Sequence, residues 1–303
     1  MNTVYFNATH DDDRRRDGLY NGQLYVYTTT RHTRALRDFA RDMCEQAFAP
    51  HHPPEAQHHL PVEQYVEILK ELKPKFIHHP TCKELIRGIL ADVGADLEQT
   101  HFDVPRLRTA CAGDYLKSGL AYAFKPHRDT WYSPPQCQLN WWLPIYEVES
   151  ENVMAFHPKY WTDPVSNSSE EFNYQDWNQN GRKAAVSQGK VDSRRQSEAL
   201  ETLELDPQVR VVTEPGGLLI FSAAHLHSTV PNTTNQTRFS IDFRTVDRRD
   251  LEAGRGAPNI DSKCSGTTIR DYLRGSDFSQ LPSDLIARFD RETAPANQEL
   301  VGG

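Results

Sequence analysis

Disulfide chemistry has little to work with in this chain. Its five cysteines, Cys44, Cys82, Cys111, Cys137 and Cys264, are odd in number, widely scattered and form no Cys-x-x-Cys pair. Neither a disulfide framework nor a zinc–thiolate site is expected, and a reducing cytoplasm is. Long apolar runs are missing too. None approaches the roughly 20 residues of a membrane-spanning helix, and residues 1–5 lack the basic-then-apolar start of a secretion signal. Basic charge is in deficit. A net charge of −8 and a pI near 5.9 exclude a nucleic-acid partner held by a broad basic surface. The longest basic run, Arg14-Arg15-Arg16, directly follows Asp11-Asp12-Asp13. No internal repeat is visible.

What is there suffices for a large core. The chain has 303 residues with 37% hydrophobic content, enough for one core with helical additions. Residues 1–30 are polar apart from a short alternating strand over 23–27. Ala35, Leu36, Phe39, Ala40, Met43 and Ala47 recur at helical spacing. A stretch with Pro53, Pro54 and four histidines (His51, His52, His58, His59) reads as a solvated linker, because no helix or strand spacing makes those imidazoles converge. A second helix is expected over 62–72, with Pro61 at its start, and a third over 81–93, stopped at Gly94. Beyond residue 100 short extended runs dominate, at 106–109, 120–124, 138–143, 153–156, 209–212, 218–221 and 239–243. Many short strands after a helical start predict an antiparallel double-sheet barrel with helices packed outside it. Residues 162–205 interrupt the strands with a long polar segment, expected to be a lid over the barrel mouth. Short helices are expected near 268–273 and 285–289, and the tail from 294 looks frayed.

One stretch organises the chain. Lys125-Pro126-His127-Arg128-Asp129-Thr130-Trp131 places an imidazole and a carboxylate two residues apart, on one side of an extended segment. A third ligand is available downstream, where His225 and His227 share a face of the run 221–232. Eleven residues after His227 comes Arg238-Phe239-Ser240. Two histidines and one carboxylate leave coordination positions open, which suits non-haem Fe(II) enzymes that activate oxygen. A guanidinium fork with a hydroxyl two residues on suits the far carboxylate of a keto-diacid chelating that iron. Parity along the strands agrees. Arg238, Ser240, Asp242 and Arg244 alternate with Phe239, Ile241 and Phe243, and Gln138, Asn140 and Trp142 alternate with Leu139, Trp141 and Leu143, giving a polar cavity face and an apolar packed face.

In these pieces, together with residues 151–158 and 215–221, the chain resembles the Fe(II)/2-oxoglutarate-dependent oxygenases, in the branch similar to phytanoyl-CoA dioxygenase. The resemblance implies a mostly β fold with flanking helices, a double-stranded β-helix (cupin-like jelly roll) core. A single domain is expected over 1–303, because no flexible linker separates helices from barrel: a helical part over 1–100, the jelly roll over 101–247 with the lid-like insertion at 162–205, and an extension over 248–303. It implies His127, Asp129 and His227 as catalytic metal ligands, His227 being chosen over His225 by its spacing to Arg238. His157 is a further rival at a position that is structural in the family. Arg238 and Ser240, with Asn140 and Gln138, are expected to bind 2-oxoglutarate, and Trp131, Tyr132 and Arg244 the substrate. The expected cofactors are Fe(II), 2-oxoglutarate as cosubstrate and O2.

The implied function is a dioxygenase that hydroxylates or otherwise oxidises a small molecule in specialised metabolism. Family halogenases carry Gly or Ala where this chain has Asp129, so hydroxylation is favoured over halogenation. No nucleic-acid or membrane partner is expected, and the oligomeric state stays open, a homodimer among the alternatives. The rival readings are a jelly-roll metalloenzyme that does not use 2-oxoglutarate, opposed by Arg238 and Ser240, and a non-catalytic ligand-binding barrel, opposed by the intact triad.

Overall fold

In a computed structural model of the protein, residues 3–117, 125–178 and 196–292 are described. The strand expected over 120–124 lies outside them, as do the centre of the expected lid, 179–195, and the tail from 293.

Eleven strands are described: β1 (Val4–Phe6), β2 (Leu24–Tyr27), β3 (Thr100–Phe102), β4 (Arg106–Ala110), β5 (Leu139–Pro144), β6 (Met154–Phe156), β7 (Val209–Arg210), β8 (Leu218–Ser222), β9 (His227–Thr229), β10 (Arg238–Asp247) and β11 (Leu273–Arg274). They form a large sheet ordered β1-β2-β8-β5-β10-β3-β11, with β4 also paired to β10, and a small sheet ordered β7-β6-β9. A cavity lies between the two, walled by Arg106, Asn140, Phe221 and Arg238 from one sheet and Met154 and His227 from the other. This is the expected jelly roll, mostly β with helices outside it.

The longest strand, β10, holds the architecture together. It pairs with β5 along one edge and with β4 and β3 along the other. Its alternation places Phe239, Ile241 and Phe243, all fully buried, in the main core. Its other face, with Arg238, Ser240, Asp242 and Arg244, lines the cavity. Three long helices cover the apolar face. In α2 (Arg31–Phe48), Leu36, Ala40, Cys44 and Phe48 recur every fourth residue and are all buried. Thr30 and Thr33 close its first turn reciprocally, satisfying backbone N–H groups that have no partner within the helix. In α3 (Val62–Ile77), Tyr65, Leu69, Leu72 and Phe76 form the buried stripe. The α4 helix (Pro80–Asp92) begins on a proline and ends before Gly94, whose φ of +72° suits a residue without a Cβ. Phe48 meets Phe239 edge-on at 5.8 Å, and Trp141 stacks on Phe243 at 5.4 Å.

One expectation needs correction. Residues 53–59 are no linker: Pro53–His58 forms a 3-10 turn with Pro53, Pro54, Ala56 and Gln57 buried. Gln57 stitches the barrel, accepting from the Ala112 N–H (2.8 Å) and the Thr237 hydroxyl (2.6 Å) and donating to the Ala112 carbonyl (3.3 Å). Residues 1–30, in turn, are integral to the sheet. Between β1 and β2, which pair in parallel, runs a further helix, α1 (Asp12–Tyr20), capped by Asp11. Two of its charges, Arg15 and Arg16, are buried. Arg16 is clamped by Asp12, by Asp250 at 2.7 Å and by Asp247 at 3.3 Å, which ties α1 to the end of β10 and to the following helix Arg248–Ala253. No helix among the described residues is long and apolar enough to cross a membrane.

If 53–58 is a structural stitch, Gln57→Leu strands buried backbone and hydroxyl partners at Ala112 and Thr237. The expected loss is about 1–3 kcal/mol for each group left unsatisfied, read as a lower midpoint in chemical denaturation. An unchanged midpoint would restore the linker reading.

Candidate metal centre and cosubstrate pocket

His127 and His227 face each other across a two-residue backbone bridge. Each N–H donates to the other's carbonyl at 2.9 Å, so His127 extends the small sheet beyond β9. The rings stand 4.4 Å apart. Their Nδ1 atoms lie against carbonyls two residues back, Lys125 at 2.8 Å and His225 at 3.0 Å. A carbonyl cannot donate, so each Nδ1 carries a proton and its bond aims the Nε2 edge of the ring into the cavity.

Asp129 reaches the same point differently from the expected extended segment. The chain is extended at Arg128, then enters a 3-10 turn, Asp129–Tyr132, whose first residue is the carboxylate. The turn is fixed from below. Thr130 N–H donates to Ala223 at 3.2 Å, and the Arg128 guanidinium donates to the Ala224 carbonyl at 2.7 Å and to Asp261 at 2.9 Å. One Asp129 oxygen lies 3.2 Å from His127 Nε2. The other accepts from Asn140 Nδ2 at 2.9 Å. Asn140 in turn accepts from Gln138 at 3.1 Å, and Gln138 from the Tyr272 hydroxyl at 2.6 Å. Donor atoms of His127, Asp129 and His227 all lie within 4.8 Å of one another.

Electrostatics put these ligands in metal-binding form. Burial pushes His227 down to about 4, assisted by the neighbouring His127. Burial would raise Asp129, but the His127 hydrogen bond and the charges of His227, His127 and Arg108 outweigh it and hold the carboxylate at about 2. An anionic oxygen beside a neutral imidazole is what a divalent ion needs.

Along the inward row of β10, Arg238 and Ser240 are buried in the cavity wall. Arg238 Nη1 donates to the Asn152 carbonyl at 2.8 Å, but among the described residues its Nε has no partner, and neither has the Ser240 hydroxyl. Burial pushes Arg238 down to about 10 despite Asp242 nearby. Unmatched buried donors are rare and call for an acceptor. The far carboxylate of 2-oxoglutarate fits them, and the three convergent donors fit a divalent metal.

The remaining expected residues fall into place differently. Gln138 and Asn140 line the cavity, but their hydrogen bonds orient Asp129. Trp131 is no pocket wall: it is fully buried, donates to Asp261 at 2.7 Å and packs with Tyr160, Val165 and Leu226. Tyr132 does reach the cavity, edge-on to His127 at 5.7 Å and to Phe172 at 5.1 Å. Arg244 lines the cavity with its guanidinium on Asp103, whereas Asp242 pairs with Arg108. His225 is not at the surface. It is buried against Trp161, and its carbonyl anchors His227. His157 is bonded to Ser228 and Leu205. Of the expected lid, the described flanks pack on each other through Ser168 and Glu198, and Phe172, Tyr174, Trp177 and Gln196 wall the cavity. Sequence reasoning missed Tyr272, which carried no signal. It also missed Arg106 and Arg108, whose alternation around Leu107 was readable.

The buried histidines predict a pH effect on the metal-free protein. His101, His157, His225 and His227 are all pushed down by burial, His225 to about 3. Below the ordinary histidine value of about 6.5 the unfolded chain therefore binds more protons, and stability falls as pH falls, by up to about 1.4 kcal/mol per pH unit for each histidine. Thermal melts should drop steadily from about pH 6.5 toward pH 5. A flat profile down to pH 5 would mean that these imidazoles are already solvated.

The phytanoyl-CoA dioxygenase (PhyH) family pattern matches residues 28–240. No curated protein sequence matches the chain. Among solved structures, EvdO2 from Micromonospora carbonacea var. aurantiaca, complexed with 2-oxoglutarate, is 15% identical, with 78% of this chain and 91% of that one covered and a TM-score of 0.44. The epimerase SnoN, in complex with Fe3+, alpha ketoglutarate and nogalamycin RO, is 13% identical over 78% and 85% of the two chains, with a TM-score of 0.38. The non-heme monooxygenase ThoJ is 14% identical over 73% and 72%, with a TM-score of 0.40. Because the family match spans more than half of the chain and runs from α2 through every cavity residue up to Ser240, this protein belongs to the phytanoyl-CoA dioxygenase family of Fe(II)- and 2-oxoglutarate-dependent oxygenases.

Proposed function

We propose that this chain oxidises a small organic molecule in specialised metabolism, with His127, Asp129 and His227 holding Fe(II), and Arg238 and Ser240 holding the far carboxylate of 2-oxoglutarate. The observation that carries the reading is the pair of buried, partnerless donors on Arg238 and Ser240, in the same cavity as three convergent metal ligands. Bound iron with its cosubstrate supplies oxygen activation, coupled to decarboxylation of 2-oxoglutarate to succinate.

The chain's own residues do the positioning. The Nδ1 bonds to Lys125 and His225 aim both imidazoles. The Asn140–Gln138–Tyr272 chain occupies one Asp129 oxygen and leaves the other for the metal. Asp129 stands where a halide would have to bind, which favours hydroxylation or a related oxidation over halogenation. Tyr132, Phe172 and Trp177 make the substrate side of the cavity apolar and help to exclude water. The reading takes residues 1–303 as one oxygenase domain, supported by a main core that joins Leu36, Phe76, Phe239 and Leu285. It places the protein in the cytoplasm, supported by five unpaired cysteines.

Metal affinity should collapse in Asp129→Ala and His227→Ala, with melting temperatures of the metal-free proteins close to that of the parent. His225→Ala should still bind Fe(II). The reverse pattern for the two histidines would reassign the ligand. For the cosubstrate, Arg238→Lys keeps a charge but loses the fork, so 2-oxoglutarate should bind about 1–3 kcal/mol more weakly, measured by anaerobic calorimetry on the metal-loaded protein. Unchanged affinity would move the carboxylate to another arginine.

A further inference from the structure

The cavity carries charge that iron and 2-oxoglutarate leave unused. Four guanidiniums line it, from Arg106, Arg108, Arg238 and Arg244. Among the described residues, two carboxylates accept hydrogen bonds from them: Asp242 in the wall and Asp103 bonded behind it. A divalent metal with Asp129 cancels a dianionic cosubstrate with Arg238, so within this set of groups one positive charge remains.

Its place can be found. Arg238 faces the cosubstrate, and Arg108 is matched by Asp242, which accepts at 2.5 Å and 3.1 Å. Arg106 and Arg244 share a single carboxylate. Asp103, 3% exposed, accepts from Arg106 Nη1 at 2.6 Å and from Arg244 Nε and Nη2 at 2.7 and 2.6 Å, and its other oxygen takes the Arg244 backbone N–H at 2.7 Å. Two guanidiniums on one anion are held side by side and half neutralised. About a fifth of each side chain stays exposed (22% and 19%), in the cavity wall. On β10, Arg244 lies six residues from Arg238. In the pairing of β5 with β10 it is directly opposite Asn140, the residue that holds Asp129. The surplus therefore sits on the metal ligand's side, at the other end of the row from the cosubstrate anchor.

We propose that Arg106 and Arg244, set side by side by Asp103, bind the anionic group of the substrate, which is a small organic acid whose apolar body lies against Phe172, Tyr174 and Trp177. Paired guanidiniums in a partly dry wall bind a carboxylate through charge-assisted hydrogen bonds and reject the isosteric amide, which brings no charge. This inference rests on the iron and 2-oxoglutarate reading.

The test uses the full chain loaded with redox-inert Ni(II) and saturated with 2-oxoglutarate, so that Arg238 is occupied. Benzoate, 3-phenylpropanoate and indole-3-acetate are titrated against their primary amides, and half-saturation is read from the thermal shift. Acids should bind about tenfold or more tighter than amides, the factor expected for one charged hydrogen bond. Arg244→Gln and Arg106→Gln should each erase most of that preference and leave 2-oxoglutarate half-saturation within about twofold. Arg244→Lys, which keeps Asp103 paired, should fold even where the glutamine variant does not, and should retain only part of the preference. Equal response to acids and amides in the parent protein, or no response to any acid, would overturn the proposal. So would an Arg244→Lys variant that loses 2-oxoglutarate and acid together. Failure of the parent to bind 2-oxoglutarate in the first place would remove the underlying reading and the inference with it.

Discussion

The reciprocal backbone pair between His127 and His227 is the constraint on which the site depends. Two ligands exactly one hundred residues apart in sequence become cross-strand neighbours through two hydrogen bonds of 2.9 Å. Backbone pairing fixes position far more tightly than side-chain contacts could, because neither strand can slip by one residue without turning its side chain to the other face. The rest of the fold keeps that pair in register. The small sheet carries His227, and the 3-10 turn after Arg128 swings Asp129 back toward His127. The helices press on the apolar face of β10, which leaves its polar face free to line the cavity.

Charge is handled in two distinct ways. At the α1 end, Arg16 is surrounded by Asp12, Asp247 and Asp250, so every buried ion has counter-ions and the cluster serves as a fastener. In the cavity the matching is incomplete. Arg238 and Ser240 hold donors with no acceptor, and Arg106 and Arg244 share one carboxylate. Buried polar groups cost stability unless paired, so a cavity left short of acceptors is arranged around something the chain itself does not supply. On the proposed reading, the inward row of β10 carries the cosubstrate anchor at one end and a substrate-binding arginine at the other.

Much of this was legible in the sequence because period-2 alternation survives at β5 and β10, where one face is core and the other cavity. His227, Arg238 and Ser240 could be read for the same reason, since the spacing of strand residues fixes their face, whereas Asp129 joins His127 through a 3-10 turn instead of the extended spacing that suggested the pair. What was not legible depended on contacts between distant segments. Pro53 and Pro54 looked like linker residues, and only the barrel's unpaired groups at Ala112 and Thr237 explain why Gln57 is buried there. The charged stretch 11–16 has no apolar stripe, so nothing local announced α1, whose Arg16 is held by Asp247 and Asp250 more than two hundred residues away. Trp131 lies two residues past Asp129, yet the tightening of the chain into a 3-10 turn aims it into the core. Gln138 and Asn140 were placed on the correct face, but their partner proved to be Asp129, through a chain that ends on Tyr272.

The central claim is that three protein ligands leave iron open to a chelating keto-acid anchored at Arg238. It is tested most directly by anaerobic titration of the Fe(II)-loaded protein with 2-oxoglutarate, following the weak visible charge-transfer band of the chelate. The account predicts a band that saturates at one equivalent of cosubstrate and is absent when succinate, which lacks the keto group, is added instead. Saturable 2-oxoglutarate binding with no such band, or no binding at all, would contradict it.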